Sequence, residues 1–320
     1  NTTAGDNTAV GRSSLGANTT GTRNTAIGDI AAGAVTTGTD VTAVGWRALT
    51  ANTGSENTAV GSRCLDANTT GTRNVAMGDL SASENTTGTD VTAIGWNALR
   101  YSTGNGNTAV GSRSQDATTT GEQNTSIGDL SLSENTTGSN NTALGRASLQ
   151  ANSASGNTAV GHQALQANTT GAGNVSLGKN SLLVNTTGNY NVALGQNALD
   201  ANTTASNNTA VGHDALSANT TGSENTAVGK EALAANTTGT NNSVLGVTAL
   251  LANTTGSHNT SVGQSSLKAN TTGSNNTAVG RVALFTATTA NDNTAVGYYA
   301  LHATTTGGNN VGVGNSALKA

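Results

Sequence analysis

The sequence has no proline, one cysteine (Cys64), one phenylalanine and two tryptophans in 320 residues, with charged residues at 9% and aromatics at 2%. Each shortage excludes something. A lone cysteine excludes an intramolecular disulfide framework. Scarce aromatics exclude an ordinary globular core, where those side chains supply much of the buried area. The formal charge of −4 is scattered singly, so no basic stripe is available for nucleic acid. No apolar run approaches the roughly 18 residues of a membrane-spanning helix. The first residues already belong to a repeat and carry no signal-peptide pattern, so any targeting segment is expected outside this piece.

What is present is repetition, with 42 glycines marking its beat. One motif recurs: N-T-A-V-G, then x-x-A-L, then x-A-N-T-T-G-x-x. Its glycine begins at Gly11, Gly28, Gly45, Gly61, Gly78 and Gly95 and continues to Gly314, nineteen times in all. Fifteen of the eighteen spacings are 17 residues and three are 16. A period of this size signals a solenoid. In two of the short coils a turn has lost one Thr (51–54 and 101–104), and a turn tolerates such a loss where a strand would invert its faces. Asp29, Asp79 and Asp129 share one slot and Trp46 and Trp96 another, which reads as duplication of three coils together. No composition break marks a domain boundary. The sequence reads as one continuous solenoid over 1–320, beginning and ending on a coil edge like a piece of a longer fibre.

The slot before each motif glycine is always aliphatic, as in Val10 and Ile27. Two residues earlier stands Thr or Val, and between them Ala or Ser almost everywhere. That alternation with β-branched preference predicts a short strand. The x-x-A-L segment, ending in Leu in 16 of 19 coils, predicts a second strand. Val10, Leu15, Ile27, Leu49 and Leu65 are therefore expected in the core, and the Ala/Ser slots facing outward. The motif glycine is expected in a backbone conformation closed to side chains. Recurrent Asn, stacked in register, predicts side-chain amide ladders. The expected fold is all-β, a parallel β-solenoid of 19 coils with 16–17 residues each, roughly 90 Å long at strand spacing. Low charge and strict aliphatic slots exclude disorder. Two anchors per coil make a thin body, and small outward slots suggest close approach of a second chain, so a homo-oligomer, most simply a trimer, is expected.

The N-T-A-V-G-x-x-A-L pattern resembles the head repeats of YadA-like trimeric autotransporter adhesins and related phage and bacterial fibre repeats, over all 19 coils. The resemblance implies a left-handed roll, a homotrimer, and display on a cell surface or virion. Two departures stand out. The 17-residue coil is longer than the usual head repeat, and no stalk, anchor or chaperone segment is present.

Catalysis needs different residues converging, and none converge in the sequence. His162 and His213 share a slot three coils apart, too far for one metal. Asp29, Asp79 and Asp129 are spaced as widely. Calcium-roll and phosphate-loop motifs are absent. No enzyme activity, cofactor or metal is expected. Trp46, Trp96, Tyr298 and Tyr299 follow motif glycines and are the candidate ligand contacts. N-x-[ST] triplets at Asn18, Asn68, Asn85, Asn135, Asn168, Asn219 and Asn236 match glycosylation acceptors, but their register favours structural ladders. The leading expectation is an extracellular structural or adhesive fibre segment whose partners are itself and a host-surface glycan or matrix protein. The alternatives are an ice-binding solenoid, a phage tail-fibre shaft and a carbohydrate-degrading β-helix. The inward or half-buried placement expected for the strand Thr argues against ice binding, and the lack of clustered carboxylates against the β-helix enzyme.

Overall fold

The computed structural model describes residues 3–319 and contains nineteen three-residue strands, from Thr8–Val10 to Val311–Val313, with no helix among the described residues. The chain is a parallel β-solenoid in two compact units, Asn1–Asn157 with nine strands and Thr158–Ala320 with ten. Within the first unit, Thr25, Ala26 and Ile27 stand opposite Thr42, Ala43 and Val44. Within the second, Val192, Ala193 and Leu194 stand opposite Thr209, Ala210 and Val211. The 16-residue step from Thr42 to Thr58 keeps the same register. The missing residue is therefore absorbed in the turn, as a period-2 strand demands.

The alternation predicted for the strand is present, but its faces are reversed. Ala26 is fully buried, whereas Ile27 is 42% exposed and Val10 57%. Val10 and Ile27 are thus not core residues, and the Ala/Ser slots point inward. The cause is the width of the coil. At Gly312, which occupies the small-residue slot, a Cβ would come within 2.9 Å of Leu301 Cγ. The inward strand position faces the Leu of x-x-A-L across a narrow gap, filled by Ala or Ser in nearly every coil and by the buried Val244 in one. Leu49 and Leu65 are fully buried and Leu15 nearly so, as expected.

The second predicted strand does not form. The x-x-A-L segment is a run of turns in which alternate residues take positive φ, for example Asp214 (55°) and Leu216 (52°). A left-handed conformation costs a non-glycine residue about 1–2 kcal/mol. Burying the Leu side chain offsets this with about 1.5–3 kcal/mol. The backbone of this segment still bonds from coil to coil: Leu216 N–H donates to Ala232 O at 3.0 Å and Ala218 N–H to Ala234 O at 2.9 Å. The turn segment therefore also carries intercoil hydrogen bonds, which satisfy donors that turns often leave to water.

Two columns of buried asparagine run along each unit. In the column that opens the strand, Asn225 receives its backbone constraint from Asn208 Oδ1, which accepts from Asn225 N–H at 3.0 Å. Asn225 Nδ2 donates to Gly239 O at 2.9 Å. In the column that opens N-T-T-G, Asn219 Nδ2 donates to Asn202 Oδ1 at 3.0 Å and Asn236 Nδ2 donates to Asn219 Oδ1 at 2.8 Å. Val41 and Val91 interrupt the first column and are buried. The first Thr of the turn adds a third series, with Thr186 Oγ1 donating to Thr203 O and Thr220 Oγ1 to Thr237 O, both at 3.0 Å.

The motif glycines sit where expected. Gly212 has φ +136°, and a Cβ there would lie 2.5 Å from the carbonyl oxygen of Gly229 in the next coil. Both the conformation and the close stacking exclude a side chain.

Candidate functional site

The strand exposes one face. Its outward slots carry Thr or Val and, two residues on, a larger aliphatic, while the residue between them is buried. In the first unit Ile27, Met77, Ile127 and Leu144 are exposed; in the second, Leu177, Leu194, Leu245 and Val296 are. The result is a stripe of aliphatic side chains repeated at every strand and flanked by a column of Thr. Scattered single exposed aliphatics need no explanation, but a contiguous apolar stripe marks an interaction surface. The strand Thr, expected inward or half-buried, stands on this outward face, between half-buried and exposed.

The sequence carried a signal for this face. The inward slot holds a small residue in every coil but that of Val244, because a narrow gap limits its volume. The neighbouring slot accepts Val, Ile, Leu and Met alike, which a closed core would not. Variety of size marks the open side, and uniform smallness marks the interior.

Trp46 and Trp96 are each half exposed. The guanidinium of Arg47 lies over the Trp46 ring, 5.7 Å from its centre. Tyr298 is exposed and Tyr299 half-buried. Their rings meet edge to face at 4.5 Å, and Tyr299 stacks on His302, which in turn stacks on Phe285. The four candidate contacts therefore fall into separate places, with only the tyrosines adjoining.

The other candidate chemistry is structural. His213 Nδ1 is 2.9 Å from Asp214 Oδ2. Asp29 pairs with Arg12 at 2.8 Å and Asp129 with Arg146 at 3.4 Å. Arg23–Asp40 and Arg73–Asp90, fifty residues apart, are two-pronged pairs between successive coils. The hydrogen bonds from Arg23 and Arg73 hold the carboxyls of Asp40 and Asp90 below the usual range. No group of three or more His, Cys, Asp or Glu is placed to hold a metal among the described residues. Burial pushes the Cys64 thiol up to about 12, and it lies in the core beside Leu65. Burial likewise raises the Asp200 carboxyl, with Asp214 adding to the shift. The N-x-[ST] asparagines Asn18, Asn68, Asn85, Asn135, Asn168, Asn219 and Asn236 are all buried and belong to the second ladder.

One core position breaks the pattern. Gln115 replaces the buried Leu; its Nε2 donates to Thr108 O at 2.9 Å and Ser126 Oγ at 3.0 Å, and its Oε1 has no partner. Ser114 Oγ bridges Ser126 Oγ and Ser131 Oγ beside it. This is a buried polar knot, closed to substrate.

No protein-family model matches the chain, and no curated protein matches it in sequence.

Proposed function

We propose that the chain is a structural and adhesive segment of an extracellular fibre, on a cell surface or a virion, that works as a homo-oligomer and performs no catalysis. The observation that carries this reading is the aliphatic stripe on the outward strand face. The coil interior is filled by Leu, Ala and the asparagine ladders, and Ile27, Met77, Leu177 and Leu194 are left exposed on the outer face. A second copy of the same face is the simplest cover, because it is equally long and equally periodic. The resemblance to trimeric adhesin repeats favours three chains, joined through this stripe rather than through small-residue slots.

Sedimentation velocity tests the assembly. The wild-type chain is expected as a trimer, and Leu177→Lys/Leu194→Lys as a lighter species with an unchanged far-UV spectrum. A wild-type monomer at micromolar concentration overturns the assembly. Adherence of cells or particles coated with the chain tests the adhesive part.

The outward Thr column supports a second reading, ice binding, since a flat array of hydroxyl and methyl groups is what such a surface requires. Thermal hysteresis in a freezing assay decides it: measurable hysteresis supports this reading, and its absence removes it.

A further inference from the structure

We propose that the first unit carries two equivalent saccharide-binding pockets, fifty residues apart, each taking one ring of a neutral glycan. The assignment rests on the adhesive reading and names its ligand class.

The first pocket has a volume of about 240 Å³, opens to solvent, and is lined by Arg47, Arg63, Asp66, Ser83 and Glu84 among others. Asp66 and Ser83 are buried, at 7% and 1% exposure. Arg63 Nε donates to Asp66 Oδ2 at 3.1 Å. Arg47 Nε lies 3.6 Å from Asp66 Oδ1, beyond hydrogen-bond reach. Three buried atoms here are left without a hydrogen bond: Arg47 Nε, Asp66 Oδ1 and Ser83 Oγ. Buried polar atoms are rarely orphaned, and such a group calls for an explanation. Arg47 Nε and Asp66 Oδ1 are held to each other only by this long ion pair, and Ser83 Oγ has no hydrogen bond, so the opening offers donor and acceptor positions that the hydroxyls of a ligand would complete.

Fifty residues on, the arrangement repeats. Arg113, Asp116, Ser133 and Glu134 occupy the slots of Arg63, Asp66, Ser83 and Glu84. Arg113 Nε donates to Asp116 Oδ2 at 3.3 Å, the same bond. Asn97 stands where Arg47 does, and an arginine, Arg100, occupies the slot of Thr50, its guanidinium over the Tyr101 ring at 4.9 Å. Asn97 Oδ1, Arg100 Nε and Asp116 Oδ1 are buried without hydrogen bonds. An arginine Nε and the aspartate Oδ1 thus recur in the second set, with the amide oxygen of Asn97 in place of the Ser83 hydroxyl. A further fifty residues along, Gln163 and Gln166 replace the Arg–Asp pair and bond to each other at 2.9 Å.

The chemistry selects the ligand. Two guanidiniums and two carboxylates cancel in each pocket, so neither an anion nor a cation is favoured. Fixed carboxylate, guanidinium and hydroxyl groups suit a partner whose groups both donate and accept, which is the property of sugar hydroxyls. The volume of the first pocket falls below the roughly 300–1,000 Å³ of pockets that enclose a drug-sized ligand, so it suits one ring of a larger chain. Trp46, half exposed, precedes Arg47 and lies under its guanidinium, so a sugar extending out of the pocket would meet an aromatic ring beside it; Trp96 has the same slot fifty residues on. Two weak sites on one chain gain avidity for a repeating polysaccharide.

Titration calorimetry of the full chain against cellobiose, lactose, diacetylchitobiose and sialyllactose tests the proposal. At least one neutral sugar is expected to bind, at two sites per chain, and sialyllactose no better than lactose. Asp66→Asn/Asp116→Asn is expected to weaken binding by roughly 10- to 100-fold, the loss of a charge-assisted hydrogen bond. Trp46→Ala/Trp96→Ala, which alters only half-exposed side chains, is expected to weaken it with an unchanged far-UV spectrum. Binding that survives both double variants, preference for the sialylated sugar, or no binding across the panel overturns the pockets. Adherence by a chain that binds no sugar leaves the adhesive reading standing. Sugar binding without adherence removes that reading and keeps the pockets.

Discussion

Asn219 donates its side-chain amide to Asn202 Oδ1 at 3.0 Å and accepts from Asn236 Nδ2 at 2.8 Å, so each buried amide is tied to its equivalents in the coils on either side. Asn219 also donates to Gly222 O at 2.9 Å. Asn219→Ala should therefore leave unpaired groups in two neighbouring coils as well as its own. The expected cost is about 1–3 kcal/mol, read as a lower urea midpoint. Because solenoid coils contact only their neighbours, the loss should appear as local hydrogen exchange around 202–236.

Ala193 and Leu194 are neighbours on opposite faces of one strand, the first buried and the second exposed. Ala193→Leu should force the strand away from its facing Leu and cost about 1–3 kcal/mol or more. Leu194→Ser should leave the melting temperature of the isolated chain nearly unchanged. The opposite ranking in thermal unfolding would refute the assignment of faces.

Gln115→Leu is expected to stabilise the protein. It removes a buried amide whose Oε1 has no partner and restores the Leu column. A gain of about 1 kcal/mol is expected, visible as a raised melting temperature.

Cys64, with its thiol at about 12, should resist thiol reagents in the folded protein at pH 8. Labelling should begin only when denaturant opens the first unit. Rapid labelling of the native protein would contradict the burial of this side chain.

Asp200 titrates above the usual carboxylate range because of burial, and its Oδ1 has no hydrogen-bond partner. A raised folded-state pKa contributes stability below the unfolded pKa and loses it as pH rises through the folded value. Asp200→Asn should therefore melt higher than the wild type at pH 7, with the difference shrinking towards pH 3.

The period, the strand position, the glycine columns and the amide ladders were all legible in the sequence, since each depends on spacing alone. The side of the strand that turns inward was not. Alternation in Thr25–Ile27 gives two faces without saying which is inside, and the habit of placing the larger residue in the core gave the wrong one. The deciding quantity was the gap between strand and Leu, which only the assembled coil defines. The second strand failed for a related reason. Leu216 carries no hint of a left-handed backbone, because its conformation is imposed by coil closure and not by its own preference. The pocket around Asp66 was likewise hidden, since Arg47, Arg63, Asp66 and Ser83 look like separate turn residues until three coils are stacked.

The glycine columns make the coil the unit of inheritance. A point substitution at Gly212 collides with the carbonyl of Gly229, so drift one residue at a time is closed along that line. Gain or loss of a whole coil keeps the backbone ladders in register, because each coil presents the same backbone groups at both edges. Such a lineage changes in quanta, and whatever a block of three coils carries is copied with it. The recurrence of Arg63, Asp66 and Ser83 as Arg113, Asp116 and Ser133 is what that genealogy leaves behind. Valency becomes a matter of copy number, adjustable without inventing a new residue.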